Sequence, residues 1–257
     1  MANTPDATPD ATPDATPGAT DGNEQRTSGV GLSELAADAS AHDAHDTQAV
    51  EARSAAVIAA DIQAHMAITQ QLVGQTALLG AVASTLIAAF RAGKKALLCG
   101  NGGSAADAQH LAAEFVGKFY FDRPALPAEA LTVNTSSLTA IGNDYSFDVV
   151  FSRQVEAFGA PGDVLIGITT SGNSRNVVEA FCVARQRGIV TVGLTGASGG
   201  QLKDVADYCI CIASTDTPRI QEHHILVGHI LCELVEQALF GEAVLAARAE
   251  RLLAAQS

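Results

Sequence analysis

Residues 96–114, ALLCGNGGSAADAQHLAAE, decide the fold class because they join three patterns in order. The apolar run Ala96–Cys99 is typical of a buried strand, glycines then indicate a tight turn, and a helical pattern follows from Ala105. Glycine lets a backbone approach a ligand closely, and the first N–H groups of a helix carry positive partial charge. The loop between strand and helix therefore suits a phosphate, and it consists of Asn101, Gly102, Gly103 and Ser104.

Strand-like runs alternate with helical patterns through the rest of the chain. The predicted strands are Ala96–Cys99, Ala130–Val133, Val164–Ile168, Val190–Leu194 and Tyr208–Ile212. Before them, apolar residues recur at helical spacing between residues 50 and 90 with an interruption at Gly74, which predicts a hairpin of two helices. Alternating strands and helices predict βαβ units. The expected fold is α/β, with a five-stranded parallel sheet flanked by helices and an N-terminal helical hairpin.

The N-terminal segment has a composition of its own. Residues 1–20 read MANTPDATPDATPDATPGAT, and the prolines of this repeat block helix and ladder hydrogen bonds. Up to residue 46 the chain stays polar and carries nine acids against one base, so only −5 of the total charge of −13 belongs to the rest. We therefore predict a disordered tail at 1–46 and one folded domain at 47–257.

The charge balance excludes several classes of partner. An acidic chain without a Lys/Arg stripe lacks long-range attraction for nucleic acid or an anionic membrane. No apolar run approaches the roughly 18 to 20 residues of a membrane span, and no targeting pattern opens the chain. The five cysteines lie in apolar runs without metal-ligand spacing, which is typical of reduced thiols. We expect a cytoplasmic protein that binds any anionic ligand locally, with no nucleic-acid or membrane partner.

Residues 168–174, ITTSGNS, repeat the strand–turn–helix design, with a turn rich in hydroxyl groups beside one glycine and one asparagine. Thr169, Thr170, Ser171 and Ser174 crowd the predicted start of a helix. A serine at such a position is most often an N-cap, and this alternative applies to Ser174 and Ser104. Four hydroxyls within six residues exceed what capping needs, so we predict phosphate binding at this loop.

The first loop also matches the dinucleotide-binding pattern G-x-G-x-x-A through Gly100, Gly102 and Ala105. A nicotinamide enzyme needs an acidic residue at the end of the next strand to hold the ribose. The run at 130–133 continues instead into Asn134 and three hydroxyl residues. The pattern therefore disfavours an oxidoreductase.

Two predicted helices carry candidate proton-transfer groups. Asp107, His110 and Glu114 share one helix face above the first loop, although His110 and Glu114 could equally form an ordinary polar pair on a solvated face. In the C-terminal helix, His229 lies among apolar residues, where a polar side chain needs a partner or a role. It is therefore the functional candidate of that helix.

The remaining histidines of the C-terminal helix, His223 and His224, are interpreted as solvated or interface residues. This helix, predicted at 219–240, is apolar on more than one face. Together with the apolar hairpin, it predicts a homo-oligomer that completes the core.

Four segments together resemble the phosphoheptose isomerase branch of the sugar isomerase (SIS) fold. They are GNGGSAADAQHLAAE (100–114), LTAIGNDYSFDVVFSRQVEAFG (138–159), GDVLIGITTSGNSRNVVEA (162–180) and PRIQEHHILVGHILCELVEQ (218–237). The resemblance spans about residues 50–241. It implies a three-layer SIS fold and an isomerase of sedoheptulose 7-phosphate, the first enzyme of nucleotide-activated heptose synthesis.

The resemblance also implies residue roles. Glu114 and His229 would form the acid/base pair, and in some members a zinc ion is held by His110, Glu114, Gln221 and His229. The expected substrate contacts are Ser104, Thr169, Thr170, Ser171 and Ser174 around the phosphate, and Asn143, Asp144 and Gln221 at the sugar. The family is tetrameric, with active sites between subunits.

The chain departs from the family at three positions and leaves two alternatives open. Thr169 replaces a frequent Ser, Lys118 a common Arg, and Pro218 an Asp that contacts the substrate in some members.

The same branch includes a homologue that binds a replication initiator without being an isomerase, and sugar-phosphate-sensing regulators are a second alternative. Glu114, Ser171 and His229 are all present, which favours the enzyme.

Overall fold

The computed structural model describes residues 32–120 and 122–241, with side chains from residue 50 onward. Helices and strands alternate as the sequence predicts. The helices are α1 (Leu32–Leu72), α2 (Thr76–Arg91), α3 (Gly103–Val116), α4 (Thr135–Asp144), α5 (Ser152–Phe158), α6 (Arg175–Gln186), α7 (Leu202–Val205) and α8 (Thr217–Phe240). The strands are β1 (Ala96–Gly100), β2 (Ala128–Ala130), β3 (Val164–Ile168), β4 (Val190–Thr195) and β5 (Tyr208–Cys211). Short 3-10 helices lie at Val73–Gln75 and Phe147–Val149.

The five strands form one all-parallel sheet in the order β2-β1-β3-β4-β5. The central strands β1 and β3 are buried along their whole length, which explains their continuous apolar runs. The second strand was predicted at residues 130–133 but lies at 128–130. It ends there because the next residues turn into α4, whose N-cap Asn134 accepts a hydrogen bond from the Ser137 N–H.

Helices cover both faces of the sheet and give the three layers. One core cluster joins one sheet face to α2, α3 and α8, with Leu86, Leu111 and Val227 at its centre. The other core cluster joins the opposite face to α5, α6 and α7, around Phe151 and Phe181. The predicted fold class is confirmed.

The N-terminal helices differ in detail from the predicted hairpin. Leu72 and Thr76 keep right-handed helical dihedrals on either side of the 3-10 turn at 73–75. Gly74 is not among the glycines with positive φ, and α1 does not pack along α2 as it would in a hairpin. The two helices therefore follow one another through one tight turn and do not fold back.

The predicted tail and domain boundary fall partly outside the described residues, which begin at Leu32. Helix α1 begins there, ahead of the predicted boundary at 46/47, and the chain divides into two units inside α1, between Ala55 and Ala56. Alanine-rich sequence around residues 36–44 favours this helix, because alanine loses no side-chain entropy in a helix. The order of residues 1–31 stays a prediction.

One helical stretch of the described chain, Val50–Arg91, is long and apolar enough to cross a membrane by length and composition alone. Core helices of soluble proteins pass the same test, and 33% of its most apolar window is buried within the protein. The rest includes exposed apolar side chains, among them Val57, Ile62 and Met66. Part of this stretch thus belongs to the core, and part presents an apolar surface.

Candidate active site

The first predicted loop lies at the carboxyl edge of the sheet, where β1 leads into α3. A Cβ at Gly100 would lie 2.6 Å from the Ser104 carbonyl oxygen, and Gly102 has a φ of +55°. The Ser104 N–H donates to the Asn101 carbonyl at 3.0 Å and closes the turn. The glycine requirement is therefore one of backbone geometry, and Ser104 is held in the first turn of α3, with 3% of its surface exposed.

The second predicted loop brings its hydroxyl groups together. Ser174 is the N-cap residue of α6, but its side chain makes no cap hydrogen bond. Its Oγ lies instead 2.8 Å from Thr169 Oγ1, and Ser171 Oγ lies 3.5 Å from the same atom. The capping alternative for Ser174 therefore loses its support, since three hydroxyl oxygens converge at the mouth of the loop.

A polar cavity of about 300 Å³ adjoins the second loop. Its lining includes Thr170, Ser171 and Asn173 from this loop and Ser198 from the loop after β4. The two loops pack so closely that a Cβ at Gly172 would lie 2.0 Å from the Gly199 carbonyl. Placement of a phosphate at Ser104, Ser171 and Ser174 stays a prediction, because only Ser171 of the three lines this cavity.

A cluster of two histidines and one glutamate lies on the facing surfaces of α3 and α8. His110 Nε2 lies 2.9 Å from His229 Nε2 and 3.3 Å from Glu114 Oε1. The helices can approach because residue 228 is glycine, where a Cβ would lie 2.4 Å from the Leu111 side chain. The predicted acid/base residues thus share one site with His110.

The surroundings of His229 favour its neutral form. Burial lowers the pKa of His229, and His110 lowers it further, while Glu114 opposes both effects. One turn before His110, burial raises the pKa of Asp107 against the attraction of His110. Within the described residues, Asp107 Oδ2 is buried and has no hydrogen-bond partner. A neutral His229 can accept or pass on a proton.

The cluster also has the donors that zinc prefers. One ligand atom from each of His110, Glu114 and His229 lies within 4.8 Å of the others, and zinc sites combine imidazole nitrogen with carboxylate oxygen. Gln221, the fourth expected ligand, lies against Gly103 instead, where a Cβ would meet its Nε2 at 2.6 Å. Gly103 is about two helical turns before His110. One chain therefore brings three of the four predicted ligands together.

The predicted sugar contacts Asn143 and Asp144 lie at the end of α4, and both are exposed. Asn143 Nδ2 donates to Asp144 Oδ1 at 2.8 Å. Within the described residues, neither side chain is hydrogen-bonded to the loops or to the His110 cluster. Their role in substrate binding stays a prediction.

Two histidines of α8 do not have the solvated or interface positions that the sequence predicts. His223 and His224 are both fully buried. His223 lies between Thr69 of α1 and the Arg219 carbonyl, and His224 Nε2 donates to the Thr195 carbonyl at 3.2 Å. These hydrogen bonds offset the cost of burying two polar rings. Two of the partners, Thr69 and Thr195, lie on other elements, so the spacing of residues along α8 could not reveal the burial.

Sequence reasoning also missed a link between the two loops. Asn101 and Asn176 exchange reciprocal side-chain amide hydrogen bonds, each of 2.9 Å. This pair fixes the turn after β1 to the start of α6. The sequence signal was Asn176, two residues after Ser174. Its partner Asn101 lies 75 residues away, so no local pattern could show the link.

A buried ion pair, also missed, closes the end of α3. Arg123 Nε donates to Glu236 Oε1 at 2.9 Å, and both side chains are at most 2% exposed. Arg123 Nη2 donates to the Glu114 carbonyl at 2.8 Å. The pair therefore holds the turn of α3 that carries Glu114 against α8.

Comparison with known proteins gives consistent results. The SIS domain family model matches residues 60–196. The phosphoheptose isomerase of Clostridium acetobutylicum is 61% identical over 163 residues, covering 63% of this chain and 83% of that protein. The solved phosphoheptose isomerase of Neisseria gonorrhoeae has a TM-score of 0.66 at 44% identity, and covers 73% of this chain and 99% of its own. The corresponding structure from Francisella tularensis has a TM-score of 0.70 at 34% identity, with 72% and 98% covered.

Proposed function

The chain belongs to the phosphoheptose isomerases of the SIS domain family, and on this premise we propose that it isomerises D-sedoheptulose 7-phosphate to D-glycero-D-manno-heptose 7-phosphate. The observation that carries the proposal is the meeting of Glu114, His110 and His229 between α3 and α8. The hydroxyl-rich loop after β3 lies at the carboxyl edge of the same sheet, where α/β proteins bind their ligands.

Glu114 is the proposed base on carbon. A ketose becomes an aldose when a proton leaves C1, an enediol forms and the proton returns at C2. The Glu114 carboxylate is 21% exposed, so a substrate can reach it, and it lies on a rigid helix. It accepts the C1 proton and delivers it to C2, the kind of transfer that contributes about 10²- to 10⁴-fold to rate.

His229 is the proposed proton shuttle at the oxygens. Conversion through the enediol also requires a proton to move from the C1 hydroxyl to the C2 oxygen. Burial holds the pKa of His229 below its ordinary value, so the ring is neutral near pH 7 and can accept a proton at one step and return it at the next. When no metal is bound, His110, 2.9 Å away, orients the ring.

We propose zinc as the cofactor, held by His110, Glu114 and His229. A bound zinc ion supplies Lewis acidity that polarises a carbonyl oxygen. Gln221 of the same chain lies too far along α8 to join this group without a change in side-chain position, so its proposed role is at the sugar. The hydroxyls of Thr169, Ser171 and Ser174, with the N-termini of α3 and α6, bind the phosphate.

We also propose that the protein is a cytoplasmic homotetramer with active sites between subunits. Val57, Ile58, Ile62 and Met66 of α1 are each more than half exposed in the single chain. An apolar face of this kind on a monomer marks an interaction surface. A second copy of the chain would cover it, and the proposal is tested by the mass of the untagged protein in native mass spectrometry.

The activity is tested by mixing the purified protein with sedoheptulose 7-phosphate and separating the products. We expect heptose 7-phosphate to appear with the wild-type protein and not with Glu114→Gln. Product formed equally by both proteins would assign the reaction to another residue. Binding of the ketose phosphate without any product would favour a non-catalytic SIS protein.

A further inference from the structure

A second cluster of metal-type ligands lies where α1 meets α8, apart from the proposed active site. It consists of His65 on α1 with Glu222 and His223 on α8, and one ligand atom of each lies within 4.8 Å of the others. On α8, His223 and His229 are six residues apart, which is about 9 Å along the axis and about 240° around it. The two clusters therefore occupy different sides of the helix.

The His65–Glu222 pair already has the spacing of two ligands on one ion. His65 Nδ1 lies 3.0 Å from Glu222 Oε2. Two ligand atoms with bonds of about 2.1 Å to a tetrahedral zinc ion lie roughly 3.4 Å apart, so a small movement admits the ion. The other carboxylate oxygen, Oε1, is held by Arg219 Nη2 at 2.7 Å, which leaves Oε2 to face the cluster.

His223 has the tautomer that a ligand needs. Its Nδ1 lies 2.7 Å from the Arg219 carbonyl, which can only accept, so in the neutral ring Nδ1 carries the proton and Nε2 carries the lone pair. Metal-ligating histidines commonly donate their second nitrogen to a backbone carbonyl in this way. Arg219 thus orients two of the three ligands, one through its side chain and one through its backbone.

The Nε2 lone pair of His223 is incompletely satisfied. Its neighbour is Thr69 Oγ1 at 2.9 Å, but that hydroxyl donates to the His65 carbonyl. A hydroxyl has one hydrogen and cannot donate fully to both acceptors. His223 is fully buried, and this shared hydroxyl is the Nε2 partner among the described residues, so a cation at Nε2 would satisfy the lone pair more fully.

In the single chain the cluster is open to ions on one side and has compensating charge, although Ile58 and Ile62 of the proposed subunit interface line the same cavity. His65 and Glu222 line a surface cavity of about 390 Å³ and are each about two-fifths exposed. Asp61 lies at the same cavity, with Oδ1 3.5 Å from Arg219 Nη1. The two carboxylates outweigh the one guanidinium, which leaves the local charge favourable to a cation.

From these contacts we infer that His65, Glu222 and His223 form a second divalent-metal site, of zinc type, that ties α1 to α8. The donor set of two imidazoles and one carboxylate is the one that open zinc sites use. Because the ligands come from two helices, a bound ion cross-links them. Its effect is to fix the part of α1 that precedes the core.

The test is the zinc content of untagged full-length protein after chelation, reloading with Zn²⁺ and dialysis. We expect one zinc ion fewer per chain in His65→Ala than in the wild type, and no change in Gln63→Ala, an exposed control on the same helix. His110→Ala should lose a different ion, so that the double variant His65→Ala/His110→Ala binds none. Equal zinc content in wild type and His65→Ala would overturn the inference.

A second measurement guards against loss of the fold in the variant. Zn²⁺ should slow amide hydrogen exchange of residues 62–69 in the wild type by at least tenfold and leave it unchanged in Glu222→Gln. Since His110→Ala leaves the second site intact, it should retain the zinc-dependent protection at 62–69. Protection that disappears in His110→Ala but persists in Glu222→Gln would place the effect at the proposed active site and refute the second one.

Discussion

Ser174 shows how a single side chain can separate a binding role from a structural one. It occupies the N-cap of α6, but its hydroxyl contacts Thr169 and leaves the helix uncapped. Asn134 occupies the same position in α4 and does cap its helix, by accepting from the Ser137 N–H. The two residues form a natural comparison between a hydroxyl available to a ligand and a true cap.

We expect Ser174→Ala to raise the KM for the sugar phosphate at least tenfold with little change in thermal stability. Asn134→Ala should do the reverse and lower the free energy of unfolding by about 1 kcal/mol, the usual loss for an N-cap. Steady-state kinetics and urea unfolding measure the two quantities. A Ser174→Ala protein that is destabilised like Asn134→Ala, with an unchanged KM, would restore the capping interpretation.

Glu114 is the residue on which the proposed chemistry depends most. Glu114→Gln should lower kcat by about 10²- to 10⁴-fold, because the amide keeps the shape of the side chain but cannot accept the C1 proton. Phosphate binding and oligomer size should be unchanged. A variant with more than a tenth of the wild-type kcat would exclude Glu114 as the base.

Zinc content must be measured beside the rate in this experiment, because Glu114 is also a proposed ligand. Loss of rate with zinc retained assigns the effect to proton transfer. Loss of both leaves ligation as the cause, and His229→Ala then provides the comparison, since it removes a ligand and the proposed shuttle but keeps the carboxylate.

At the scale of elements, α3 and α8 carry the site, and their fixed contact sets its geometry. Beside the site itself, the close approach at Gly228 and Leu111 and the ion pair of Arg123 with Glu236 help to hold them together. The first contact determines the distance between the helices. The second closes the C-terminal turn of α3, since Arg123 also donates to the carbonyls of Glu114 and Phe115.

Glu236→Gln should therefore cost about 3 to 5 kcal/mol of unfolding free energy, because it leaves the buried Arg123 guanidinium without its counter-ion. Chemical denaturation measures the loss. The double variant Arg123→Met/Glu236→Leu, which removes both charges, should recover only part of it, because the Phe119 and Tyr120 N–H groups and the Glu114 and Phe115 carbonyls lose their side-chain partners. A loss below 1 kcal/mol for Glu236→Gln would mean that the pair is solvated in the folded protein.

The sequence was most informative about elements and least informative about contacts between distant ones. Continuous apolar runs predicted β1 and β3 well, because a strand buried on both faces has no alternating pattern to misread. The second strand was placed two residues late, since its apolar run continues into a turn. The hairpin was predicted from Gly74, but glycine permits a chain reversal without requiring one.

At the scale of the whole molecule, the site residues depend on long-range placement that no local pattern contains. Spacing put His110 and Glu114 together correctly, as they share one helix. It could not show that His229 reaches them across α8 while Gln221 meets Gly103, because this depends on how two helices pack. The same limit explains why the sequence predicts solvated or interface positions for His223 and His224, although both are buried within the chain.

His224 gives the whole molecule a predictable response to acid. Burial lowers the pKa of this imidazole from 6.5 to about 4, against the hydrogen bond to the Thr195 carbonyl, while the unfolded chain keeps the ordinary value. Between pH 6.5 and pH 4 the unfolded state binds a proton that the folded state does not, so the stability that is present above pH 6.5 is lost as the pH falls. One pKa unit corresponds to about 1.4 kcal/mol, so lowering the pH from 7 to 5 should remove about 2 kcal/mol through this residue.

Urea unfolding at several pH values measures this loss, and His224→Gln is the matched variant because its amide can still donate to Thr195. Other titrating groups act on both proteins alike, so the difference between the two pH profiles isolates His224. We expect the variant to be less stable than wild type at pH 7 and to approach it at pH 5, because only the wild type carries the imidazole that must stay neutral. Parallel profiles across this range would show that His224 titrates alike in the folded and unfolded protein, and that water or a counter-charge reaches its Nδ1, which has no hydrogen-bond partner among the described residues.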